Sequence, residues 1–103
     1  PRGIGMLLAP SLTLAEARSY LAALADRALT SDASAQYDRV LLQLDLLHGE
    51  AIPGASRVPA CSRDVLFDVA YAAIEETAEH GIDLLSVELL LDMLETARST
   101  DLP

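Results

Sequence analysis

Lysine, asparagine and tryptophan are absent from this chain, cysteine occurs once, and three tyrosines and one phenylalanine are its whole aromatic content. A lone thiol, Cys61, excludes an intramolecular disulfide and any cysteine framework, so a reducing, cytoplasmic setting is expected. Its place just before Ser62 raises the question of a reactive thiol, but no histidine or other base is adjacent in sequence, and a small buried hydrophobe is the better reading. Without lysine, all seven cations are arginines, set against sixteen acidic residues for a net charge of −9. That balance argues against nucleic-acid binding, which draws its affinity from clustered cations on phosphates. No apolar run approaches the roughly 20 residues of a membrane span. No basic stretch followed by an apolar run and a small-residue cleavage site marks a secretory signal.

What is present is a globular balance, 51% hydrophobic and 22% charged over 103 residues, enough for one domain whose core is aliphatic. Pro1-Arg2-Gly3-Ile4-Gly5 reads as the remnant of a cleaved tag ahead of Met6, so residues 6–103 are expected to form a single helical domain.

Four helical segments follow from apolar spacing and end signals. Thr13-Leu14-Ala15-Glu16 has the pattern of a capping box and predicts a first helix from Thr13, downstream of Pro10. Leu14, Ala17, Leu21, Leu24, Ala25 and Ala28 give it one apolar face, and Thr30-Ser31-Asp32 supplies a turn and the next cap. A second helix is predicted from about Ala33 to His48, with Tyr37, Val40, Leu41, Leu44 and Leu47 turned inward and Leu42 and Leu46 on another side. Residues 49–61 carry Pro53-Gly54 and Pro59 and break the helical pattern. Ser62 then caps a third helix running to His80-Gly81, with Leu66, Phe67, Ala70, Tyr71, Ala73, Ile74 and Ala78 as its core face. A fourth helix starts at Asp83 or Ser86 and ends near Ala97-Arg98. Its apolar arc covers well over half of the circumference, which predicts a helix that is central or covered by a second molecule. Short connections between the first and second and between the third and fourth give an all-α fold, a four-helix bundle of two antiparallel hairpins.

Gly81-Ile82-Asp83-Leu84-Leu85-Ser86-Val87-Glu88-Leu89 is similar to the Gly-x-Asp-Ser-Leu segment of acyl carrier proteins, which are also small, acidic and four-helical. Leu84 stands where the serine carrying phosphopantetheine would be, and two further helices would have to follow. No prosthetic group is expected on this chain, and no other cofactor.

His48 and His80, the only histidines, each end a helix before glycine. With Asp45 one turn before His48, and Glu76 and Glu79 near His80, a metal or small-molecule site near either is the alternative reading; complementing the helix dipole is the simpler role. Asp64, Asp68, Glu75 and Glu79 share one helix edge, which reads as a solvated face or a site for a basic partner. The positive signal is surplus apolar surface. Leu42, Leu46, Leu89, Leu90 and Met93 are the expected contact residues of a non-enzymatic interaction module (an adaptor, chaperone or regulatory subunit) that forms a homo-oligomer or binds a protein partner.

Overall fold

The computed structural model describes residues 2–48, 58 and 62–101, with side chains described for 13–47, 58, 62–79 and 81–101. Four α-helices account for nearly all of them: α1 (Arg2–Asp26), α2 (Ser31–His48), α3 (Arg63–Thr77, continued by a 3-10 turn over Ala78–His80) and α4 (Leu84–Thr100). No strand occurs among the described residues.

Local chemistry explains most of the boundaries. Thr30 accepts a hydrogen bond from the Ala33 amide through its hydroxyl, at 3.1 Å, and opens α2. Ser62 receives the Val65 N–H at 3.3 Å and Asp83 receives the Ser86 N–H at 3.2 Å, so both caps lie where the side-chain chemistry predicts them. Gly81 closes the third helical segment at φ +99°, while the Ile82 amide reaches back to the Thr77 carbonyl at 3.2 Å. Only glycine enters that backbone region without strain.

Two boundaries differ from expectation. Helix α1 does not begin at Thr13 but continues back to Arg2, through Pro10. Thr13 is buried inside the helix rather than capping it. The residues between Met6 and Leu12 are mostly strong helix formers, and their propensity carries the helix across the proline. Helix α4 runs past Arg98 to Thr100, because Thr100 bonds back to the Thr96 carbonyl and accepts the Gln36 side chain of α2 at 2.9 Å.

The helices form two layers, α1 with α3 and α2 with α4. Helix α1 meets α2 and α3, α4 also meets α2 and α3, and the most extensive contact is α1 on α3. The Gln36–Thr100 bond and the ion pair between Arg18 of α1 and Asp45 of α2 show that these neighbours run antiparallel. The core between the layers is aliphatic: Leu14, Leu21 and Leu24 from α1, Val40 and Leu44 from α2, Leu66 and Ile74 from α3, Val87, Leu90 and Leu94 from α4. Tyr37 and Phe67 are its only buried aromatics. Helix α4 is therefore a corner of the bundle and not its centre, which leaves Leu84, Leu85 and Leu89 in solvent.

Candidate interaction face and the Asp101 junction

Antiparallel packing brings the C-terminal ends of α1 and α4 and the N-terminal ends of α2 and α3 to one end of the bundle, and Asp101 joins all four. It caps α4 and is only 4% exposed. Its Oδ1 accepts the Leu29 backbone N–H of the α1–α2 turn at 2.7 Å, and its Oδ2 accepts Arg63 Nη1 of α3 at 2.9 Å. The Tyr37 hydroxyl of α2 approaches Oδ2 at 3.5 Å, and Arg63 Nη1 also reaches the Asp101 carbonyl at 3.3 Å. A carboxylate at a helix C-terminus opposes the macrodipole. Here the guanidinium and the amide outweigh that repulsion.

Beside this junction, Arg98 lays its guanidinium 4.0 Å from the centroid of the Phe67 ring, which tilts against Tyr71 at 5.7 Å. Tyr37, Arg63, Asp64, Phe67, Arg98 and Asp101 line an open cleft of about 310 Å³. Two arginines face two aspartates there, so the lining is electrically balanced and favours neither sign of ligand.

Burial, and then the negative charge of Asp101, push the Tyr37 hydroxyl up from 10.0 to about 12. The folded state thus holds this proton more tightly than the unfolded chain does. The stability that Tyr37 contributes is complete below pH 10 and is lost as the pH rises towards about 12. At 1.36 kcal/mol per pH unit the loss is about 2 to 3 kcal/mol. Tyr37→Phe is expected to flatten the fall in thermal midpoint over that interval while costing under about 1 kcal/mol at neutral pH, since only a long hydrogen bond disappears. An alkaline profile identical in wild type and variant would remove Tyr37 as the cause.

The surplus leucines lie elsewhere, on the outer side of the α2–α4 layer. Leu42 and Leu46 of α2 are 61% and 68% exposed, and Leu85 and Leu89 of α4 are 74% and 51% exposed. Met93 is half-buried and lines a shallow groove between the two helices with Gln36, Arg39, Asp92 and Thr96. Leu90 does not belong to this surface. It points inward and is fully buried in the core, because it shares the α4 face of Val87, Leu94 and Ala97.

The acidic residues Asp64, Asp68, Glu75 and Glu79 are all exposed on one side of α3 and its terminal turn. No group of three or more potential metal ligands gathers among the described residues. The side chains of His48 and His80, and the whole of Cys61, lie outside the described residues. No described helix is long and apolar enough to cross a membrane.

Sequence reading placed Tyr37 in the core and Ser62 at a cap and left the start of α4 at Asp83 or Ser86, of which Asp83 is the cap, but it missed Asp101 and Arg63 as partners. The available signal was the acidic residue at the foot of α4, a position the helix dipole disfavours unless a cation or an amide is brought to it. No protein-family model, no curated protein and no solved structure matches the chain.

Proposed function

We propose that this chain is a non-enzymatic helical interaction module, an adaptor, chaperone or regulatory subunit, that self-associates through the outer face of α2 and α4. The supporting observation is the pair of neighbouring apolar stripes, Leu42–Leu46 and Leu85–Leu89, each spaced one helical turn and each more than half exposed. Large side chains left in water at this density mark a contact surface, since covering a leucine stabilises by about 1.5–3 kcal/mol. The groove between the stripes is lined by one arginine, Arg39, and one aspartate, Asp92. The lone cysteine suits the reducing cytoplasm we assign to it, and the acidic balance disfavours a nucleic-acid partner.

The test is solution mass by light scattering across a tenfold dilution series. The wild type is expected to exceed the 11.0 kDa of one chain. Leu42→Glu/Leu46→Glu should retain its helical circular dichroism and run as a monomer, with association weakened on the order of a thousandfold. A wild type that stays monomeric throughout, or a double variant that still associates, would overturn the reading.

A further inference from the structure

Four charged side chains line the cleft beside the junction, and only two of them neutralise each other. Arg63 is paired with Asp101, whose oxygens also accept the Leu29 amide and the Tyr37 hydroxyl. Arg98 and Asp64 are exposed, and neither makes an ion pair among the described residues, with the other or with a third group. Opposite charges thus share one cleft of about 310 Å³ without meeting. Arg98 stands in the last turn of α4 and Asp64 in the first turn of α3, the helix ends at which the macrodipole favours a cation and an anion respectively. The Phe67 ring already holds the Arg98 guanidinium on one face, at 4.0 Å. A group that bonds the guanidinium edge therefore has less side-chain freedom to freeze out. Phe67 and Tyr37, both buried, supply the rest of the lining.

We infer that this cleft binds a small zwitterion, a molecule carrying a carboxylate and an ammonium group on one short frame, as a free α-amino acid does. The carboxylate accepts from the guanidinium edge of Arg98, and the ammonium donates to the carboxylate of Asp64. A simple anion on Arg98 would face the like charge of Asp64, and a simple cation on Asp64 would face that of Arg98. Only a ligand with both signs satisfies the two together, which is how an electrically balanced lining still selects. The volume is at the small end of ligand sites and suits a molecule of amino-acid size. Both contacts are open to water, where an ion pair is worth about 1 kcal/mol at most, so the dissociation constant is expected to be on the order of 10 mM. None of the lining residues belongs to the leucine face, so this site goes beyond the self-association proposed above and does not depend on it.

The test is a titration of the full chain, labelled with nitrogen-15 and followed by its amide resonances at neutral pH and fixed ionic strength. L-alanine is the probe, and sodium acetate and methylammonium chloride, separately and mixed, are the single-charge controls. L-alanine is expected to shift the amides around Asp64 and Arg98 along a saturating curve, while the controls give no saturation over the same range. Asp64→Asn and Arg98→Gln should each weaken binding about fivefold, the weight of one exposed ion pair. Asp64 touches no described neighbour through its carboxylate, so its variant keeps the fold and isolates the charge. The thermal midpoint of Arg98→Gln, read alongside, separates lost binding from the lost contact with Phe67. Absence of a saturating shift with L-alanine overturns the inference. So does acetate saturating as readily as L-alanine, which would make the cleft a plain anion site, and so does Asp64→Asn binding as the wild type does. A monomeric chain that binds L-alanine would overturn only the self-association reading.

Discussion

Asp101→Ala is expected to lower folding stability by about 2–3 kcal/mol, the range for charge-assisted hydrogen bonds of a buried carboxylate. For a domain of this size each kcal/mol shifts the thermal midpoint by about 4–8 °C, so a fall of roughly 10–20 °C should be seen by calorimetry. The effect is large because one side chain holds the α1–α2 turn, α2, α3 and the end of α4. Removing the partner cation is no milder. Arg63→Ala leaves the carboxylate of Asp101, only 4% exposed, at a helix C-terminus without its guanidinium, so it should cost about 2–3 kcal/mol as well. Asp101→Asn keeps an acceptor for the Leu29 amide and should cost less than Asp101→Ala. A midpoint for Asp101→Ala within about 3 °C of wild type, less than 1 kcal/mol, would show that water replaces the junction without loss.

The second large effect separates two adjacent leucines. Leu90→Ala should cost about 3–4 kcal/mol and Leu89→Ala less than about 0.5 kcal/mol in the monomer. Leu90 is completely enclosed, and its removal leaves a cavity between the layers, whereas half of Leu89 already faces water. The pattern should invert for assembly. Leu89→Ala weakens association while the fold holds, and Leu90→Ala weakens the fold. Urea titrations at a concentration where the chain is monomeric, paired with light scattering at high concentration, measure the two effects apart. Equal destabilisation by both substitutions would contradict the assigned orientation of α4.

The same pair shows what periodicity can and cannot resolve. On α2, polar residues flank the inward face, so the separation of Leu42 and Leu46 from Val40 and Leu44 was legible from spacing alone. On α4, leucines occupy positions 84, 85, 89, 90, 91 and 94, and any of several faces could have turned inward. Only the position of α4 at a corner, against α2 and α3, selects Val87, Leu90, Leu94 and Ala97. The start of α1 was misplaced for a related reason: Thr13-x-x-Glu16 fits a cap locally, yet Pro10 did not stop the helix. The cap at Ser62 was readable, and that of α4 was narrowed to Asp83 or Ser86, because each bond spans three residues. The Asp101 junction was not, since its partners in Arg63, Tyr37 and Leu29 are 38, 64 and 72 residues away.

Those separations also bear on the order of events when the chain folds. Hairpins α1–α2 and α3–α4 close over short connections, but Asp101 meets Leu29 and Tyr37 only after both hairpins have docked. Contacts of such long range cost the most loop entropy and form late. The junction is therefore expected to close after the rate-limiting barrier. Asp101→Ala should then leave the refolding rate nearly unchanged and speed unfolding, as stopped-flow denaturant jumps would read, so that Asp101 governs how long a folded molecule stays folded.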